Sequence, residues 1–169
     1  LATGLYAVAS AAPGWQRNLA AALLQQTRAV VAGRSAAALH GLPGIRHGRP
    51  EVLVPSPARS SLGKVYRSAF FDEVRTVRVA GFEVTSPAET VLALAASMPV
   101  HRIEAFTDDT LIRRTATIDE YLAILDRIDG RRVRGAAPLR RILAERCSNG
   151  YQPPASELER LSRRLTDRP

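Results

Sequence analysis

Arginines supply the clearest chemistry in this chain. Arg113 and Arg114, Arg131, Arg132 and Arg134, Arg140 and Arg141, and Arg163 and Arg164 fall at expected helix ends, turns and outer faces, where a guanidinium reaches solvent without distorting a core. A guanidinium presents a planar fork of donors that matches a phosphate, and such contacts give salt-dependent affinity with little choice of base sequence. These residues are the candidate nucleic-acid contacts. The plain alternative is a solvated basic surface, or ion pairs with Asp119, Glu120, Asp126 and Asp129.

The rest of the reactive inventory is sparse. His40, His47 and His101 show none of the short spacings that put two imidazoles on one metal, so no metal site is expected. Ser35 has no histidine and acid arranged around it in sequence and is read as a helix cap, which leaves nucleophilic catalysis without support. Asp108 and Asp109 are adjacent, so on a helix they point to different sides, and they are read as a solvated pair. The single Cys147 rules out an intramolecular disulfide and any zinc-finger pattern, which suits a reducing cytoplasm.

Composition sets the frame for those residues. At 169 residues and 46% hydrophobic content, one domain, or one domain plus the start of another, is expected. The 24 basic against 16 acidic residues give a formal net charge of +8, and Lys64 is the sole lysine. Much of that arginine bias reads as base composition of the genome, yet the excess positive charge still favours a polyanionic partner. No apolar run is long enough for a membrane span and no export signal is visible, so a cytoplasmic location is expected. Both ends read as cuts in a longer chain.

The elements that must position these groups are organised around Thr85 to Met98. Ser86 supplies a capping hydroxyl, Pro87 a fixed φ at the first helical position, and Glu89 the third residue of a capping box. Nothing polar occurs from Val91 to Ala96, so this helix is expected to be buried on all sides. Before it come an amphipathic helix over 15–26, a short buried strand over 29–32, a brief helix over 36–40 capped by Ser35 and closed by Gly41, and a strand over 51–54. Strands over 64–71 and 74–79 follow, the latter pairing with 82–85 as a hairpin. One hairpin face is expected against the Ser86 helix, and the other carries Arg75, Arg78 and Glu83 to water. After it come a helix over 100–114, a second capping box at Thr117 and Glu120, a helix with Ile118, Tyr121, Leu122, Leu125 and Ile128 inward, and a helix begun by Pro138. The fold class expected is α+β: a small, mostly antiparallel sheet in the N-terminal half packed on a central buried helix, then a helical C-terminal half.

Taken in order, Gly33 to Leu42, Glu51 to Pro55, Val84 to Ala95 and Gly130 to Arg141 resemble the middle region of AbiEi-like proteins. That resemblance implies a DNA-binding antitoxin and autorepressor of a type IV toxin–antitoxin system, paired with a nucleotidyltransferase-like toxin. It also implies an order of domains. Residues 1–10, with Leu1 to Val8 as a strand, look like the last strand of a preceding winged helix; 11–147 form the core domain; and 148–169 form a linker and the first helix of a further domain. Many relatives carry a C-terminal domain resembling very-short-patch-repair endonucleases. In that reading Glu159, on Ser156 to Leu161, helps hold Mg²⁺. The same residue is also placed as the capping-box partner of Ser156.

Three functions follow as expectations. The first is a DNA-binding antitoxin and regulator whose arginine patches meet phosphate, with DNA and a nucleotidyltransferase-like toxin as partners. The second is the non-catalytic front part of a DNA endonuclease, and the third is a protein-interaction module without nucleic acid. No complete catalytic constellation is present in the chain as given, so an enzyme is not expected, and no cofactor is expected beyond Mg²⁺ in a complete nuclease domain.

Overall fold

The computed structural model describes residues 14–147. In chain order these form α1 (Trp15–Leu24), β1 (Val30–Val31), α2 (Gly33–Leu39), β2 (Glu51–Val54), β3 (Lys64–Arg67), β4 (Thr76–Val79), β5 (Phe82–Thr85), α3 (Pro87–Ala95), α4 (Val100–Ile112), α5 (Ile118–Arg127) and α6 (Ala136–Cys147), with a 3-10 turn at Phe71–Glu73. The fold is α+β, as expected. Its five-stranded sheet runs β3-β2-β1-β5-β4 and is mixed, not mostly antiparallel. β1 pairs antiparallel with β2 and β4 with β5, whereas β1–β5 and β2–β3 are parallel. The expected strand over 64–71 stops at Arg67, because Phe71–Glu73 turn into the 3-10 segment.

Alternation puts Val31, Val52, Val65 and Val84 on one face of the sheet, in register across β1, β2, β3 and β5. That face closes against Leu19 and Ala22 of α1 and Ala36 of α2 as one apolar cluster. A second cluster joins Ala37 of α2 to Val91 and Leu94 of α3, Ile103 and Phe106 of α4, Tyr121 and Ile124 of α5, and Leu139 and Ile142 of α6. Burying each large side chain here is worth about 1.5–3 kcal/mol. Neighbouring alanines thus serve two cores: Ala36 faces the sheet and Ala37 the helices, and methyl-sized side chains let α2 lie close to both. The expectation that the sheet packs on the Ser86 helix is corrected accordingly. α1 and α2 cover the sheet, and α3 belongs to the helical cluster.

α3 begins as its sequence requires, with Pro87 at the first helical position and the Ser86 hydroxyl accepting from the Glu89 N–H at 3.4 Å. Its capping box is only half made. The Glu89 carboxylate turns to the sheet, accepting from the Arg75 N–H at 3.2 Å and pairing with Arg127 at 2.6 Å, while the Ser86 N–H donates to the Arg75 carbonyl. Thr85 and Thr90 hydroxyls meet at 2.8 Å and complete the seam between β5 and α3. The helix is not buried all round, since Ala93 and Ala96 are exposed. At Thr117 the capping box is complete, with both reciprocal bonds present.

Two further expectations are corrected. Ser35 does not cap α2; Ala32 precedes the helix, and the Ser35 hydroxyl accepts from the Glu51 N–H at 2.9 Å. In α5 the inward position is Ile124, whereas Leu122 is exposed, because the apolar stripe runs 121, 124, 125, 128 and not through 122. Arg75, Arg78 and Glu83 do face water. The expected strand at 1–8 and helix from Ser156 lie outside the described residues. Among the described residues no helix is long and apolar enough to cross a membrane.

Candidate nucleic-acid interface

The turn between α5 and α6 is shaped by two glycines. Gly130 (φ +70°) ends α5, and Gly135 (φ +90°) lies against α3, where a Cβ would come 2.5 Å from the Leu92 carbonyl and 2.9 Å from the Ala96 nitrogen. Close approach at Gly135 pins the base of the turn, and Val133 packs against the helical core. Arg131, Arg132 and Arg134 are then left pointing outward. On α6, Leu139, Ile142 and Leu143 take the inner face and Arg140 and Arg141 the outer one, as their spacing requires.

Not all of these cations are available. Arg131 pairs with Glu73 at 3.0 Å and stacks over Phe70 at 3.9 Å. Arg140 pairs with Asp129 at 2.7 Å. Arg113 closes α4, donating to the His40 carbonyl at 3.0 Å and to Asp109 at 3.1 Å. By contrast Arg114, Arg132, Arg134 and Arg141 are exposed and have no carboxylate partner among the described residues. Arg114 adopts φ +54°, a left-handed turn that ends α4. Arg163, Arg164 and Glu159 lie outside the described residues.

Asp108 and Asp109 part ways. Asp108 is fully buried on α4 and binds Arg146 of α6 through two bonds, Nε to Oδ1 at 3.1 Å and Nη2 to Oδ2 at 3.2 Å. The expected solvated pair is therefore half wrong. The tandem Asp puts one carboxylate at the edge, beside Arg113, and sends the other inward to the arginine. Nearby, the Tyr121 hydroxyl meets Thr110 at 2.7 Å, and burial pushes that phenol well above its ordinary range.

His40 is half-buried, its Nε2 2.8 Å from the Thr85 carbonyl, which fits a neutral ring donating from that nitrogen. Burial lowers its pKa, the carbonyl bond works in the opposite direction, and the Arg113 charge adds to the lowering. His47 stacks on Trp15 at 3.8 Å. Among the described residues no group of three or more His, Cys, Asp or Glu is placed to hold a metal.

A second basic feature escaped the sequence reading. Arg34 from α2, Lys64 and Arg67 from β3 and Arg134 from the basic turn converge on one cleft of about 890 Å³, together with the exposed end of α3. Its carboxylates are spoken for. Glu51 accepts from the Arg34 N–H at 2.8 Å and the Tyr66 hydroxyl at 3.1 Å, and Glu89 is held by Arg75 and Arg127. Gly33 (φ +54°) is required beneath, because a Cβ there would run into the Glu51 carboxylate. The usable signal was the alternation in β3, which puts Lys64 and Tyr66 on the sheet face opposite Val65.

The fold is similar to that in the crystal structure of the RV2827C protein from Mycobacterium tuberculosis, with a TM-score of 0.55 and 17% sequence identity over 78% of this chain and 53% of that one. The chain thus spans about half of that protein's length, and the likeness is one of fold. No family model and no curated protein matches the chain.

Proposed function

We propose that the chain is the scaffold and effector domain of a DNA-binding antitoxin and transcriptional autoregulator, and that its outer arginines grip the phosphate backbone. One observation carries this reading: Arg132 and Arg141 stand exposed and without carboxylate partners on a turn and helix whose inner side is fixed in the core. Arg114 and Arg134 add to that charge. A guanidinium without a carboxylate partner gives up no ion pair when it meets a phosphate, and a formal charge of +8 steers DNA towards it. Because phosphates carry no sequence, base reading in this scheme belongs to a winged helix of the kind the resembled family has, and the partner protein is a nucleotidyltransferase-like toxin.

The test is a mobility shift with promoter duplex across a salt series, comparing the parent with Arg132→Glu/Arg141→Glu. Each lost phosphate contact reduces the slope of log affinity against log salt by about 0.9, so the double variant should flatten it by about 2 and weaken binding at low salt. Absence of a shift at about 50 mM salt, or an unchanged slope in the double variant, removes the proposal.

A further inference from the structure

We propose that the cleft between β2–β3, the end of α3 and the basic turn binds a small organic phosphate, a nucleotide-like anion with an apolar or planar body. This goes beyond DNA binding and stands independently of it. Three features carry the inference: charge, shape and lining.

Four cationic residues from three separate parts of the chain, Arg34, Lys64, Arg67 and Arg134, border the one space. Arg34, Arg67 and Arg134 are exposed, with no carboxylate partner among the described residues. Lys64 is the in-register neighbour of Glu51, and its ammonium lies 4.7 Å from the Tyr66 ring. Of the two lining acids, Glu89 is paired with Arg127 outside the lining, and Glu51, beside Lys64, offsets one of the four positive charges, which leaves the cleft cationic. Glu51 is turned onto the Arg34 N–H and the Tyr66 hydroxyl, and Glu89 onto the Arg75 N–H and Arg127. Guanidinium forks left over in a concavity are matched to the paired oxygens of a phosphate.

Shape then separates a small ligand from a duplex. A volume of about 890 Å³ is within the range, roughly 300–1,000 Å³, in which proteins enclose small molecules. The lining is also partly apolar: Leu53, Leu92, Met98 and Val133 contribute, along with Ala93 and Ala96, which α3 leaves uncovered. A DNA backbone makes no use of such a floor, whereas a base or another planar group does. Arg134 belongs both to this rim and to the basic turn, so a ligand here sits beside the surface proposed for DNA.

The experiment is isothermal titration of the 169-residue chain with ATP, AMP and inorganic tripolyphosphate at about 50 mM and about 200 mM salt. Saturable one-to-one binding is expected for ATP, weaker for AMP, which has less charge, and weaker for tripolyphosphate, which lacks the planar body. Arg34→Glu and Arg67→Glu, both at exposed side chains, should each weaken ATP by about tenfold or more, and Arg132→Glu, outside the lining, should leave it unchanged. Failure of all three probes to saturate, cleft variants that bind ATP like the parent, or tripolyphosphate binding as tightly as ATP each overturn the proposal. So does a loss of duplex binding in Arg67→Glu that exceeds its loss of ATP binding, because the cleft is then a groove for DNA. Loss of the DNA reading leaves a different signature: no shift with duplex while ATP still saturates.

Discussion

The two faces of α6 use the same side chain in opposite ways. On the inner face Arg146 is 8% exposed and its guanidinium is engaged by Asp108, Glu145 and the Ile142 carbonyl. On the outer face Arg141 meets no carboxylate among the described residues, and Arg140 only the exposed Asp129. A charge in a dry site must be neutralised or the element cannot close, whereas a charge in water contributes little to folding and remains available to a ligand. Arginine content therefore says nothing by itself about DNA. The division of arginines between the two faces shows which of them the fold uses and which it leaves in water.

The largest test of that division is Asp108→Ala, which leaves a guanidinium in the core. Removing one partner of a buried pair costs about 3–5 kcal/mol, and Glu145 beside Arg146 keeps the loss towards the lower end. The midpoint of denaturant unfolding measures it. Replacing both members, Asp108→Leu with Arg146→Met, should recover most of the loss, since an apolar pair of similar volume needs no counter-charge. A single variant as stable as the parent would mean that this site is wet, and the contrast between the faces would collapse.

Next in size is Gly135→Ala, which attacks the turn that holds the outer arginines in place. Its Cβ would meet backbone atoms of α3, the Leu92 oxygen at 2.5 Å and the Ala96 nitrogen at 2.9 Å, at φ +90°. A loss of about 2–3 kcal/mol is expected in thermal or chemical unfolding. Gly130→Ala is the control, because φ is +70° but nothing lies within 4 Å, and about 1 kcal/mol is expected from backbone strain alone. Equal losses at the two sites would show that the approach of the turn to α3 does not anchor it.

Local signals were legible where a single residue type dictates geometry. Pro87 after Ser86, Thr117 with Glu120, and Gly41 and Gly130 at helix ends all act as their chemistry requires. What the sequence did not reveal depends on contacts across the chain. Asp108 looks solvated until α6 brings Arg146 against it, 38 positions later. Glu89 looks like a capping residue until the Arg75 N–H and Arg127 compete for its carboxylate and win. The sheet was expected to be mostly antiparallel because the β4–β5 hairpin advertises itself, while the parallel pairings of β1 with β5 and of β2 with β3 join segments with no local signature. The cleft was missed for the same reason: its cations are scattered from Arg34 to Arg134 and meet only in three dimensions.

A smaller, pH-dependent effect probes the seam between the two cores. His40 donates to the Thr85 carbonyl, and burial, with the Arg113 guanidinium nearby, holds its folded pKa below the ordinary value. The unfolded chain therefore binds the proton more tightly. This contribution to stability is full above the unfolded pKa of about 6.5 and is lost as pH falls below it towards the depressed folded value. His40→Gln keeps an amide donor for the carbonyl and removes the titration, so its unfolding midpoint should vary less with pH across that window. An unchanged pH profile would place the acid sensitivity elsewhere.

The smallest expected effect belongs to the outer face, and its smallness is the point. Arg132→Glu and Arg141→Glu alter side chains that touch no described carboxylate, so the folded state loses no ion pair and exposes no core. Each should change stability by no more than about 0.5 kcal/mol, and the double variant by about the sum, as measured by the same denaturant midpoint used for Asp108→Ala. A loss above about 1.5 kcal/mol would mean that these guanidiniums are structural, like Arg146, and that any fall in DNA affinity reports damage to the fold. A preserved midpoint with a flattened salt slope would separate the two faces cleanly: one arginine holds α6 to α4, and the others are free to hold a phosphate.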